Sequence, residues 1–326
     1  MRPLGSVVVT GAGTPSGMDV IKALIRQNEF PVRIVSCDSE PLSAGAFIAH
    51  AFHRVPSASD PSFTDALMEI CAREHARLLI PIPGAEGFRV ASERKRFLAA
   101  GVQVAVSGED TLEICDDRES SARLFRALDI PVPRTWFPYD REPDPADFPL
   151  ALRPRRTTGT TVQRVEDQEA YDFHLKRAGD CVVQELIDGK HFAIDTLSDF
   201  DGRVLAVVPR LRLETESGVS RKGVIVRDER MMALACRVID ALHVVGGACI
   251  LCTVRQDALY FMEVIPRFGA GASLTFVGAG VNMPVMLARA AWGQAVLPRI
   301  GQFRDGATLL RYWDEVVVPA AAAPPR

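Results

Sequence analysis

Between residues 7 and 106 the chain repeats one pattern, a short apolar run rich in β-branched residues followed by a longer stretch in which apolar positions recur every three or four residues. The runs predict strands over 7–10, 32–37, 78–82 and 102–106, and the periodic stretches predict helices over 15–28, 61–75 and 86–99. Alternation of this kind fits a parallel sheet with helices on both faces. Thr14 before Pro15 and Asp60 before Pro61 each set a side-chain acceptor ahead of a proline whose missing N–H costs nothing in a first helical turn, so both pairs predict helix starts. Beyond residue 108 the rhythm changes to a charged helix over 116–128, a proline-rich passage over 130–149, and strands and hairpins over 181–186, 191–198, 203–209, 248–254 and 259–265. Helical periods over 228–242 and 284–292 complete an α+β region, and a Pro/Ala-rich tail from 318 onward predicts fraying.

Composition narrows the function classes. With 326 residues, 48% apolar and 24% charged, the chain has the make-up of a globular protein of roughly two domains. Its net charge of −3 offers no positive field for a phosphate backbone or an anionic membrane, so neither nucleic acid nor membrane is an expected partner. The longest apolar runs are shorter than the ~18 to 20 residues of a membrane span. Seven scattered cysteines without histidine-supported metal spacing suggest reduced core thiols and a cytoplasmic setting. Cys249 and Cys252 form a C-x-x-C, but on a strand that spacing sends the two sulfurs to opposite faces.

The first strand runs into Gly11, Gly13 and Gly17 and then a helix, and the second strand ends at Asp38. One reading is a dinucleotide site, with glycines letting a pyrophosphate approach a helix N-terminus and the acid holding a ribose. The other is a tight strand-to-helix turn in which glycine supplies backbone freedom alone. The spacing is one residue longer than the usual fingerprint, and Pro15 removes an N–H, which favours the turn.

Three later segments belong together: 148–162, with Arg153-Pro154 ahead of a run of Thr and Gly; 182–189, with Gln184-Glu185-Leu186-Ile187; and 260–269, with Glu263, Pro266 and Arg267. Arg153 places a fixed cation beside small residues whose N–H and hydroxyl groups suit a triphosphate. In order and spacing the three segments resemble the ATP-grasp superfamily, and more narrowly its carbamoyl-phosphate-synthase-like branch, which includes the pyrrolysine-biosynthesis ligase. The resemblance implies an α/β protein with a Rossmann-like preATP-grasp domain over 1–110 and an α+β ATP-grasp domain of two subdomains, 111–180 with the phosphate loop and 181–318 with the catalytic residues, ahead of a flexible tail over 319–326.

The same resemblance assigns roles. Arg118, Arg153 and the loop Thr157, Thr158, Gly159, Thr160 and Thr161 would hold the phosphates of ATP. Gln184, Glu185, Leu186 and Ile187 would meet the adenine edge, and His191 stands near the usual ribose acid. Glu263 would ligate Mg²⁺, with Ile265 where the family has Asn and Leu251 where it has another oxygen ligand. Arg267 would meet the transferring phosphoryl group, and Arg210, Lys222, Gly271 and Ser273 would line the substrate end, Arg212 alone reading as part of a solvated hairpin. The expected activity is an ATP- and Mg²⁺-dependent ligation of a small-molecule carboxylate to an amine or related nucleophile through an acyl phosphate. A homodimer is expected because family members are often dimers. Two alternatives stay open: an ATP-grasp fold that binds nucleotide or metabolite without turnover, and an NAD(P)-dependent oxidoreductase built on Gly11, Gly13, Gly17 and Asp38.

Overall fold

The computed structural model describes residues 5–156, 162–312 and 314–318. Its first sheet is built from β1 (Ser6–Val9), β2 (Arg33–Asp38), β3 (Ala51–Arg54), β4 (Ala76–Ile80) and β5 (Gln103–Val104), all parallel in the order β3-β2-β1-β4-β5. Val7, Val8 and Val9 are fully buried, as the central strand of a sheet covered on both faces requires. The cover comes from α1 (Pro15–Ile25), α2 (Ala44–Ile48), α3 (Phe63–Arg73), α4 (Gly84–Ser92) and α5 (Arg94–Ala99). Strand order reverses between β1 and β4, and the turns that follow these two strands meet there.

Thr14 caps α1 as expected, its hydroxyl accepting from the Gly17 N–H at 3.1 Å. Asp60 does not cap α3. The helix starts two residues later, and the Asp60 carboxylate accepts instead from the backbone and hydroxyl of Ser62. The expected helix over 116–128 is broken as well: α6 (Glu109–Asp116) and α7 (Arg118–Ala127) flank Asp117, whose extended backbone lets its side chain cap α7 through the Glu119 and Ser120 N–H groups.

A four-stranded antiparallel sheet follows, made of β6 (Thr135–Trp136), β7 (Leu150–Pro154), β8 (Gln163–Val165) and β9 (Cys181–Glu185) in the order β6-β9-β7-β8 and covered by α8 (Gln168–Leu175). The larger antiparallel sheet contains β10 (Lys190–Ser198), β11 (Val204–Glu216), β12 (Val219–Ile225), β13 (Gly246–Arg255), β14 (Ala258–Ile265) and β15 (Thr308–Leu310), ordered β14-β13-β10-β11-β12-β15. Its rear face carries α9 (Glu229–Ala241), whose apolar stripe of Met231, Met232, Ala235, Val238 and Ile239 is buried. A π-helical turn, Leu274–Gly278, and α10 (Met283–Ala291) link the far side of this sheet to α1. Among the described residues no helix is long and apolar enough to cross a membrane. The residues expected to form a flexible tail, 319–326, lie outside the described ones.

Candidate active site

Three chain segments converge on the open face of the larger sheet. In β13–β14 pairing Glu263 stands opposite Leu251, Leu251 stands opposite Ala193 of β10, and Ala193 stands opposite Arg210 of β11, so these four residues form one cross-sheet row. Glu263 is met by Arg118 from the first turn of α7, whose Nη1 lies 2.7 Å from Glu263 Oε2. The Asp117 cap, itself bonded to Arg155 Nε at 2.7 Å, fixes this helix start, and Arg118 Nε donates to the Pro154 carbonyl at 3.0 Å. The helix start, the end of β7 and β14 are thus joined through one arginine.

Next to that pair, Arg153 at the end of β7 lines a cavity of about 300 Å³ together with Glu185, Ile187, His191, Leu251 and Glu263. Arg153 is largely desolvated, and its Nε has no hydrogen-bond partner among the described residues. Burial, and then the charge of Arg118, push its pKa down to about 10. A second cavity of about 390 Å³ shares Arg212, Leu251 and Glu263 with the first and continues to Arg267, Gly269 and the Thr14–Ser16 turn of the first domain. Arg267 is also held below its usual range by burial. Among the described residues neither Arg153, Arg212 nor Arg267 has a carboxylate within ion-pair distance. The two cavities together form a cleft that runs from the 185–187 segment to the first domain and carries uncompensated positive charge.

The structure places the remaining expected residues less uniformly. Glu185 faces the cleft but is shared by Arg134 and Arg255. Leu186 joins Ile187 on the cavity wall, whereas Gln184 is buried in the small sheet with its amide on Thr135, so it does not face the cleft. His191 stands at the rim, with Nδ1 3.0 Å from Thr253 Oγ1, and its pKa is lowered by partial burial and then by Arg212. Thr157 to Thr161 lie outside the described residues.

Two substrate-end expectations need correction. Arg210 is sealed inside the protein, with 2% of its side chain exposed, because Asp195 takes its Nε at 2.8 Å, Ser220 takes Nη1 at 2.9 Å, and Gly269 and Gly271 pass directly over it. Asp195 keeps this guanidinium charged against the cost of burial and also accepts from Thr275 at 2.6 Å. Lys222 lies out on the β11–β12 hairpin, paired with Glu214 at 2.6 Å, away from the cleft. Gly271 takes a positive φ of 105°, and its N–H donates to Asp19 of α1 at 3.1 Å, while Ser273 precedes the π-helical turn without capping it. Their part is to shape the loop behind Arg267.

The first-domain turn is closed by its own groups. Gly13 N–H donates to Asp38 at 2.8 Å, and a Cβ on Gly17 would stand 2.2 Å from the Gly11 carbonyl oxygen. Asp38 and the glycines therefore serve the tight turn, and the dinucleotide reading loses its ribose acid. Nearby, Glu86 in the first turn of α4 has its Oε2 buried without a hydrogen-bond partner among the described residues. Burial, helped by Asp38, raises its pKa to about 7 against the pull of the Thr10 hydroxyl.

The sequence set Arg212 aside as part of a solvated hairpin and gave no sign of Asp195 and Asp19. Arg212 lies two residues after Arg210 on the same strand and so projects from the same face, a signal available from alternation once β11 is known to run to Glu216.

Residues 7–105 match the family described as PylC-like, N-terminal domain, and residues 177–310 match the family described as ATP-grasp in the biosynthetic pathway with Ter operon. The carbamoyl phosphate synthase large chain of Thermoanaerobacter sp. is 25% identical over 218 residues, which cover 60% of this chain and 20% of that protein. The chain thus aligns with about a fifth of the curated relatives it matches. Among solved structures, L-amino acid ligase from Bacillus licheniformis superposes with a TM-score of 0.70 at 16% identity, covering 94% of this chain and 79% of that one. The biotin carboxylase domain dimer of Hydrogenobacter thermophilus 2-oxoglutarate carboxylase, in complex with MgADP, ADP and bicarbonate, superposes with a TM-score of 0.71 at 14% identity, covering 94% and 74%. The chain thus carries a PylC-like N-terminal domain followed by an ATP-grasp domain, and the two antiparallel sheets face a common cleft.

Proposed function

We propose that the chain is an ATP-dependent ligase that joins a small-molecule carboxylate to an amine or related nucleophile, with ATP bound in the cleft and Mg²⁺ accompanying it. The observation that supports this reading best is the cluster of Arg153, Arg212 and Arg267 around Glu263, desolvated cations without acidic partners among the described residues. Uncompensated buried charge is costly, so such a cluster fits a polyanionic ligand. The hinge residues Glu185, Leu186 and Ile187 at the other end offer backbone and carboxylate partners for an adenine edge.

Mg²⁺ keeps several waters and asks of a protein one or two carboxylates beside the nucleotide oxygens. Glu263 meets that demand with Oε1, since Arg118 holds Oε2, while Leu251 and Ile265 add no donor. Among the described residues no group of three His, Cys, Asp or Glu side chains could cage a cation. The fit is therefore to an ion carried by the nucleotide. When bound it would neutralise phosphate oxygens during transfer.

The protein's own part is orientation and charge. Arg118 and Arg153 fix the phosphates, and Arg267 stabilises charge that develops as a carboxylate oxygen attacks the γ-phosphorus and ADP departs. The amine then attacks the acyl carbon and inorganic phosphate leaves, so no protein nucleophile is required. The L-amino acid ligase and biotin carboxylase neighbours support this class of chemistry. A homodimer belongs to the same proposal, in keeping with the dimeric Hydrogenobacter domain. The test is ADP release from Mg·ATP across panels of carboxylic acids and amines. Release that needs both an acid and an amine supports the ligase; nucleotide binding with no release under any pairing supports a second, non-catalytic reading, which Leu251, Ile265 and the Arg118–Glu263 pairing favour.

A further inference from the structure

Arg210 and Arg212 leave the same face of β11 but meet different fates. Arg210 is neutralised by Asp195 and roofed by Gly269 and Gly271. Arg212 has one hydrogen bond, from Nη2 to the Gly218 carbonyl at 2.9 Å, which leaves most of its donors free and its charge unpaired among the described residues. It lines both halves of the cleft, the half at the hinge and the half at Arg267, and in each it stands with Leu251 and Glu263. Leu251 occupies the middle of the cross-sheet row, where an oxygen donor would have attracted a cation. A guanidinium sits beside the position where the site has no second metal-ligating oxygen.

We propose that Arg212 is a phosphate-binding residue of this cleft that supplies, at the γ-phosphate, positive charge that Leu251 and Ile265 cannot recruit by holding a metal ion. The inference rests on the nucleotide reading of the cleft given above. A planar, permanently charged fork suits this task, because it can hold two phosphate oxygens at once and needs no dehydration of a bound cation. Arg212 thereby makes part of the affinity for a triphosphate a property of the chain itself, present with or without Mg²⁺.

The test compares calorimetric affinities for AMP, ADP and a β,γ-imido analogue of ATP, each with Mg²⁺ and with EDTA, in the wild type and in Arg212→Gln and Arg212→Lys. In the wild type the analogue should bind more tightly than ADP in EDTA as well as in Mg²⁺. In Arg212→Gln the γ-phosphate increment should fall about tenfold or more while AMP affinity stays unchanged, and Arg212→Lys should keep much of it. A wild-type increment that vanishes in EDTA would overturn the proposal, as would an undiminished increment in Arg212→Gln, which would leave a substrate carboxylate as the anion that Arg212 meets. Absence of any nucleotide binding by the wild type would instead bring down the nucleotide reading itself. Equal melting temperatures of wild type and Arg212→Lys guard against a folding defect, and Leu251→Asp, which adds an oxygen ligand, should make the increment larger with Mg²⁺ than with EDTA.

Discussion

Arg118 and Glu263, 145 residues apart in sequence, meet across the cleft at 2.7 Å with 11% and 17% of their side chains exposed. This pair holds Oε2 of the acid that would face the phosphates in the proposed reading. Removing either member strands a largely desolvated charge. A thermal-unfolding cycle over Arg118→Met, Glu263→Gln and the double variant should give a coupling of about 1–3 kcal/mol, with the double variant less destabilised than the sum of the singles. Strict additivity would mean that the two groups do not sense each other.

Arg267 lies beyond Glu263 with its backbone turned back on Ile265 and its side chain in the second cavity. If it meets charge that develops only during transfer, Arg267→Ala should lower kcat by about 10²–10³-fold and change nucleotide affinity far less. Steady-state kinetics beside a binding titration measure both. An unchanged turnover rate would remove Arg267 from the reaction.

The Arg210–Asp195 pair predicts a stability effect without a direct role at the cleft. Arg210→Met leaves Asp195 buried and should cost about 3–5 kcal/mol in chemical denaturation, whereas replacing both by apolar residues of similar volume should cost much less. Because Gly269 and Gly271 rest on Arg210, the single variant should also loosen the loop next to Arg267, readable as faster amide exchange over residues 268–273.

Glu86 gives the fold a pH dependence of definite sign. Its carboxyl has a folded-state pKa raised to about 7, above that of an unfolded glutamate, so the native state binds more protons and stability falls as pH rises through the window between the two values. The penalty is complete above the folded value and absent below the unfolded one. Glu86→Gln should stabilise the protein at pH 8 by up to about 3 kcal/mol and leave it unchanged at pH 4. Parallel denaturation curves at the two pH values check this.

How much of this was readable in the chain depends on whether local pattern or tertiary partner decided the outcome. The hinge strand, Arg153 and the Glu263 to Arg267 segment were legible because strand alternation and fixed spacing determine where those side chains point. Arg212 was read as part of a solvated hairpin, because the charged residues over 210–216 do not by themselves show that β11 extends past its apolar part to Glu216. The break at Asp117 was hidden for another reason: within a charged stretch a capping aspartate looks the same as a solvated one until Arg155 and two N–H groups converge on it. Strand β3 and helix α2 were missed because both are short and only partly buried, so neither carries a full period of apolar positions. The fate of Arg210 required knowing that Asp195, fifteen residues away, faces it across a hairpin.

Asp19 joins parts of the molecule that the sequence keeps far apart. Helix α1 of the first domain presents this carboxylate to the Gly271 N–H and to Arg311 just past β15, so three segments share one acceptor. The loop behind Arg267 cannot swing outward while α1 and the strand-end segment stay still without giving up charge-assisted hydrogen bonds to a buried acid. The Arg267 end of the cleft and the first sheet's leading helix are thus tied through one carboxylate, and a probe attached to α1 should report on any displacement of that end.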